Sequence, residues 1–353
     1  MRKQGVLLIN LGTPDAPTAF SVASYLNTFL SDDKVIDLPY VLRHFLVKGL
    51  IVPFRTGQAL KAYRSIWTSA GSPLRVHMQA LQAAVQQALD PQAQSFVVEL
   101  GMRYGRPSIQ AGIAGLRAQG CTFLHILPLY PQYAAATTGS ALAVVLDILK
   151  HEPTPPFKVY PPFYQAPGFI HAFGERIQEH WQHQHIAENA FTVFSYHGLP
   201  ERQVRKMGCN RLSQCQQQVG CLKLEQDADD DTLTCYRAQC FMTTAALVKA
   251  VGLDSKQTAT AFQSRVGRIP WIRPYTDHLL AELAEKKIKN LVIVCPSFVV
   301  DCLETLEEIE IRAKAQWRSL DGEHLSMVPS LNTHPSWVKA LVNWVCADRL
   351  SKK

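Results

Sequence analysis

The sequence predicts an α/β protein of two doubly wound halves, each carrying a four-stranded parallel sheet, with a cleft between them. Three observations predict it. Eight short apolar runs lack polar alternation, as strands buried on both faces do. Segments of helical periodicity separate them, so strand and helix alternate. A proline-rich stretch at 153–167 (PTPPFKVYPPFYQAP) divides the runs into two sets of four and reads as the crossover.

The first set comprises 5–12 (GVLLINLG), 95–101 (SFVVELG), 122–129 (TFLHILPL) and 158–162 (KVYPP). The second comprises 191–196 (FTVFSY), 259–263 (ATAFQ), 290–296 (NLVIVCP) and 325–331 (LSMVPSL). Runs such as 76–89 (VHMQALQAAVQQAL) and 276–287 (TDHLLAELAEKK) supply helices. The expected domains are 1–155, with an apolar lip, and 156–330, with an insertion over 206–234. Residues 331–353 are expected to pack back on the first domain as a helix. Length agrees, since 353 residues at roughly 150 per domain make about two domains.

Composition narrows the function. At 47% hydrophobic and 18% charged residues the chain has ample core material, which excludes global disorder. No run approaches the ~20 apolar residues that span a bilayer. Its net charge of +7 suits an anionic ligand or a membrane surface and is weak grounds for nucleic acid, so no nucleic-acid partner is expected. The apolar run after Met1-Arg2-Lys3 is short and breaks at Gly12-Thr13-Pro14 without a small-residue cleavage site. It reads as a first strand, and the expected location is the cytoplasm. No GxGxxG or Walker sequence is present, which argues against nucleotide-dependent chemistry.

In doubly wound sheets the working residues lie beyond the carboxyl ends of the strands. In FSYHGLPER, His197 stands at such an exit, before a Gly198–Pro200 turn. An imidazole there suits a metal ligand or a general base, or simply a strand-end histidine bonded to backbone. In VCPSFVVDCLETLEEIEIR a helix is expected from near Val300, with Asp301, Glu304 and Glu308 on one face and Glu307 and Glu310 elsewhere. Three stacked carboxylates repel one another unless cations or protons neutralise them. The row suits a hydrated divalent cation or a proton relay, or a solvated acidic face. One histidine and one glutamate make a poor closed metal site but a plausible transfer site.

Aromatic residues, including Tyr104 and Tyr133 at strand exits and Trp271 between Arg268 and Arg273, line either a flat pocket or the core. The segment 38–54 (LPYVLRHFLVKGLIVPF) is a core helix or an exposed lip touching a membrane or a lipophilic ligand.

INLGTPDAP, GMRYGRP, PLYPQYAAATTGSA, FSYHGLPER, SRVGRIPWIRPYTD and CPSFVVDCLETLEEI resemble, in this order, the signatures of the ferrochelatases. The resemblance runs over nearly the whole chain. It implies two Rossmann-like, chelatase-type domains with an interdomain active-site cleft. It also implies insertion of ferrous iron into protoporphyrin IX to give protohaem, the last step of haem biosynthesis, by a lyase. The alternatives are a chelatase for cobalt or another tetrapyrrole, and a non-catalytic tetrapyrrole-binding protein.

Residue by residue, the resemblance makes His197 and Glu304 the catalytic, metal-facing pair and Asp301 and Glu308 an acidic relay. It makes Arg103, Tyr104, Tyr133, Thr137, Thr138, Ser140 and Trp271 porphyrin contacts. At position 302, where some members carry histidine, this chain has Cys302, which puts a ligand role there in doubt.

Five of the nine cysteines crowd into 209–240. Cys209, Cys215, Cys221 and Cys235 follow the spacing C-x5-C-x5-C-x13-C in a polar segment unable to build its own core. Four thiolates suit a [2Fe–2S] cluster or a structural zinc. The spacing matches no common zinc ribbon, and some ferrochelatases carry the cluster, so [2Fe–2S] is the reading and zinc the runner-up, with a flexible insertion of free thiols as the third alternative. Cys240 resembles the cysteine of a helix start in members without the insertion and is left out of the ligand set.

Overall fold

The computed structural model describes residues 3–91, 95–151, 155–184, 190–209, 215, 235–267 and 269–347. Two compact units emerge. One takes in the described residues up to Tyr130, residues 134–162, and those from Pro335 onward; the other takes in 131–133 and 163–334.

The first unit holds β1 (Gln4–Asn10), β2 (Phe96–Met102), β3 (Phe123–Pro128) and β4 (Phe157–Val159), all parallel, in the order β2-β1-β3-β4. β1 is central, and Val6, Leu7, Leu8 and Ile9 are wholly buried, as a strand covered on both faces requires. One face carries a core of Leu7, Ile9, Ile113, Leu124, Ile126 and Val145. β4 registers on β3 from Leu124↔Phe157, so the first unit extends past 155, to Pro162.

The helix Pro73–Leu89 starts with proline, whose missing N–H costs nothing there, and buries Leu74, Met78, Leu81, Val85 and Leu89 along one stripe. The helix Pro335–Ala347 packs on it, and the Tyr160 hydroxyl donates to the Trp344 carbonyl at 3.1 Å.

The second unit repeats the plan. β5 (Phe191–His197), β6 (Thr258–Gln263), β7 (Asn290–Val294) and β8 (His324–Met327) are parallel in the order β6-β5-β7-β8. Its core gathers Val193, Leu280, Leu291, Ile293, Ile309 and Trp317. In both sheets the topological switch falls beside the first strand, so the exits of β1 and β3, and of β5 and β7, flank the expected binding position within each unit.

Among the described residues three helical segments are π-wound: Val47–Ile51, Ala135–Gly139 and Leu306–Ala313. Wide turns of this kind concentrate at functional sites. Here they fall in the apolar lip, the AATTG turn and the acidic segment.

Candidate functional site

His197 is the last residue of β5 and is half-buried. Its carbonyl accepts from the Tyr236 hydroxyl at 2.7 Å, and its Nδ1 lies 2.6 Å from the Gly198 carbonyl. The Trp271 and Phe298 rings flank it, with centroids 6.4 and 6.3 Å away. Gly198 leaves room for this packing: a Cβ there would lie 2.8 Å from the Gln263 carbonyl oxygen and 3.2 Å from the Trp271 ring. Trp271 is fixed by its indole N–H, which donates to the Val266 carbonyl at 3.1 Å.

The acidic segment departs from the expected helix. The helix begins at Leu303, with Cys302 as its N-cap, and becomes π-wound from Leu306. Asp301 therefore precedes the helix and shares no helical face with Glu304 and Glu308. Its buried carboxylate accepts from Ser330 N–H at 3.1 Å, the Asn332 amide at 2.7 Å and the Thr305 hydroxyl at 3.1 Å, and so ties this turn to the β8 exit.

Glu308 accepts from Ser264 N–H at 2.8 Å and the Ser264 hydroxyl at 2.5 Å. Glu307 turns away to Arg312 at 2.9 Å. Burial, together with the charge and hydrogen bonding of Glu304, pushes the Cys302 thiol well up, so it stands as a neutral group beside that carboxylate. Tyr133 is anchored through its N–H, which donates to Gln239 Oε1 at 2.7 Å.

In the first unit, Arg103 and Tyr104 leave β2 and meet Ser140 around Asp32, a residue that no sequence motif marks. Asp32 accepts from Arg103, from the Tyr104 hydroxyl at 2.8 Å and from the Ser140 hydroxyl at 2.5 Å. Arg103 Nε also donates to Ser140 at 2.6 Å. Burial opposes ionisation of Asp32, but hydrogen bonds from Ser140, the Lys34 backbone and Tyr104, with the Arg103 charge, hold its carboxyl below the usual range. Burial pushes the Tyr104 hydroxyl up, so it remains a proton donor. Thr138 is buried and Thr137 half-buried on the π turn beside this cluster.

Of the cysteines, Cys209, Cys215 and Cys235 are buried, and none of the described cysteines is in a disulfide. The Cys235 thiol is hydrogen-bonded to Cys209, and this contact with burial pushes it up. Cys235 is the N-cap residue of the helix Tyr236–Val251 and makes no side-chain cap hydrogen bond; the backbone of Ala238 and Arg237 opposes the upward push on its thiol. Cys221 and nearly all of 206–234 beyond Cys209 lie outside the described residues. Cys240 is buried within the helix.

The lip segment exposes Val41 (78%), Phe45 (69%) and Phe54 (81%), while Arg43 turns inward to the Leu38 carbonyl at 2.7 Å. Among the described residues no helix is long and apolar enough to cross a membrane.

The family model for ferrochelatase matches residues 3–349. The chain belongs to the ferrochelatase family. A ferrochelatase of Legionella pneumophila (strain Corby) is 48% identical over 340 residues, covering 96% of this chain and 97% of the relative. A ferrochelatase of Coxiella burnetii (strain RSA 493 / Nine Mile phase I) is 45% identical over 339 residues, covering 96% and 92%.

Among solved structures, SirB from Bacillus subtilis with Fe3+ aligns with a TM-score of 0.54 at 13% identity, over 99% of this chain and 98% of that one. At that identity the likeness concerns the fold, which is the chelatase-type pair of parallel sheets. Family membership makes the chain a lyase of haem biosynthesis that inserts metal into a porphyrin.

Motif reasoning missed Asp32, Gln263 and Ser264. Asp32 follows a helix in an unremarkable Ser-Asp-Asp, Gln263 ends the strand run ATAFQ, and Ser264 opens the SRVGRIPWIRPYTD signature without anything there to mark it as a carboxylate partner.

Proposed function

We propose that this ferrochelatase-family chain inserts ferrous iron into protoporphyrin IX, with His197 and Glu304 as its reacting pair. One observation carries the reading beyond family membership. His197 registers against Gln263 across β5 and β6, and the Gln263 amide holds the Glu304 carbonyl at 2.7 Å. The histidine and the glutamate thus share one bracket at neighbouring strand exits.

Metallation exchanges Fe²⁺ for the two inner N–H protons of the macrocycle. His197 accepts the two pyrrole protons in turn, giving up the first before it takes the second. Glu304 presents oxygen to the incoming metal, which takes N and O ligands of this kind. Glu308 passes protons onward, and Asp301 anchors the start of the acidic segment.

Trp271 beside His197 supplies a flat apolar wall, and an apolar slot of this kind uses binding energy to hold a bent porphyrin. Tyr133 lines the same unit. Arg103, Tyr104, Thr137, Thr138 and Ser140 are porphyrin contacts of the first unit, with the Asp32-fixed guanidinium suited to a carboxylate. The test is His197→Ala: porphyrin binding persists while iron insertion, followed by absorbance, is lost. Near-normal turnover would remove His197 from the reaction.

The lip is read as the point of porphyrin entry and of loose contact with a membrane surface, in an otherwise cytoplasmic protein. Its support is the exposed Val41, Leu42, Phe45 and Phe54 alongside a basic net charge.

Cys209, Cys215, Cys221 and Cys235 are proposed to hold a [2Fe–2S] cluster. Cys209, Cys215 and Cys235 are buried and the first and last are in contact, while among the described residues no three His, Cys, Asp or Glu side chains come together as a metal-holding group, so the support is the number and spacing of the thiols. Such a cluster stores or senses an electron. Anaerobically purified protein should be reddish-brown, and Cys215→Ser should bleach it. Colourless protein with stoichiometric zinc would assign the site to zinc, and protein with neither would leave free thiols.

A further inference from the structure

Gln263 ends β6 with its side chain buried, and every arm of its amide is used. Oε1 accepts from the Ser195 hydroxyl at 2.7 Å and faces the Cys295 thiol at 3.6 Å. Nε2 donates to the Glu304 carbonyl at 2.7 Å and reaches Glu308 Oε2 at 3.5 Å. The Gln263 carbonyl accepts from Gly198 N–H, directly after His197, at 2.8 Å.

Ser264 follows with φ at 67°, a left-handed conformation uncommon outside glycine. That conformation aims both its N–H and its hydroxyl at the Glu308 carboxylate. Backbone strain maintained in this way is a pointer to function.

We propose that Gln263 and Ser264 are the positioning residues of the metal-insertion site: Gln263 sets Glu304 against His197, and Ser264 fixes Glu308. The inference rests on the reading of His197 and Glu304 given above.

The chemistry calls for such a bracket. Glu304 stands at the start of a helix that turns π-wound within two residues, and a wide turn by itself does little to fix a carboxylate. Glutamine alone among the common side chains has the length and the paired donor and acceptor for these bonds. Asparagine is one methylene short, and methionine fills the volume but leaves Ser195 and the Glu304 carbonyl without this partner.

Gln263→Glu keeps the length and the acceptor and removes both donors. The expected result is a fall in kcat for iron insertion of about tenfold or more, as small misplacements of reacting groups produce. KM for ferrous iron rises, while porphyrin affinity, read by fluorescence titration, stays near the parent value; Tm falls, because the new carboxylate meets the Glu304 carbonyl and the Glu308 carboxylate. Ser264→Gly relieves the left-handed strain, folds, and loses the hydroxyl on Glu308. It should show the same split more weakly, and it decides the matter if Gln263→Glu does not fold.

Turnover by both variants close to that of the parent would overturn the inference. So would a loss of porphyrin affinity in proportion to the loss of kcat, which would mark a purely structural role. Glu304→Gln and His197→Ala run alongside as controls. If these are inactive while the Gln263 and Ser264 variants are normal, only the positioning inference fails. If these are themselves normal, the reading of the site fails.

Discussion

At the scale of single residues, the carboxylates of the acidic segment separate by their partners. Glu307 is bonded to Arg312, which also reaches Glu308 at 3.9 Å, Glu308 is held by Ser264, and Glu304 has the neutral Cys302 thiol beside it. Glu304→Gln should therefore lower kcat by about 10²-fold or more, the scale of a lost proton-transfer or ligand group. Glu307→Gln should change it little. Steady-state rates of the two variants check this, and equal losses would break the distinction.

Asp32 makes a second prediction, on stability. Its carboxyl is held below the usual range in the folded protein, so its contribution is present above the unfolded value of about 3.9 and is lost as pH falls through the folded value. Asp32→Asn should destabilise the protein by about 1–3 kcal/mol at pH 7, the cost of leaving a buried partner unsatisfied. That deficit should shrink toward pH 3. Urea unfolding at the two pH values measures it, and an unchanged deficit would contradict the assignment.

At the scale of elements, two glycines predict opposite outcomes. Gly12 leaves β1 with φ at +103°, and a Cβ there would lie 1.6 Å from the Tyr104 carbonyl oxygen. The exits of β1 and β2 are this close because Tyr104 N–H donates to the Leu11 carbonyl at 2.8 Å. Gly12→Ala should lower Tm sharply and disturb the Arg103–Tyr104 corner. Gly57, inside the exposed helix Val52–Ile66, has nothing within 4 Å of its would-be Cβ. Gly57→Ala should stabilise the protein by about 0.5–1 kcal/mol through helix propensity and the unfolded chain. Thermal melts decide both, and a drop in Tm for Gly57→Ala would contradict the second.

At the scale of the whole molecule, the basic charge and the exposed lip belong together. Val41, Phe45 and Phe54 stand out from one segment, and Phe20 is 85% exposed. Single exposed apolar residues are ordinary, but a group on one segment marks a surface for apolar contact. Changing Val41, Phe45 and Phe54 together to Ser should weaken co-sedimentation with anionic lipid vesicles and raise KM for porphyrin while leaving kcat unchanged. Unaltered vesicle binding and KM would show that the lip serves neither role.

The eight strands were legible in the sequence because parallel strands covered on both faces read as unbroken apolar runs, and their alternation with helices gave two parallel sheets of four; the 2-1-3-4 order within each came from the tertiary structure. His197 and Arg103 were legible as strand-exit residues, since the fold fixes where such exits point. What the sequence left open depends on bonds between distant positions. Asp32 meets Ser140 108 residues away, and Gln263 meets Glu304 41 residues away. Helical spacing likewise placed Asp301 with Glu304, whereas a Cys302 cap and a π-wound turn start the helix later and leave Asp301 holding the β8 exit. Periodicity reports which face of an element is buried. It does not report which donor a buried carboxylate finds, because that partner comes from another part of the chain and only packing brings it there.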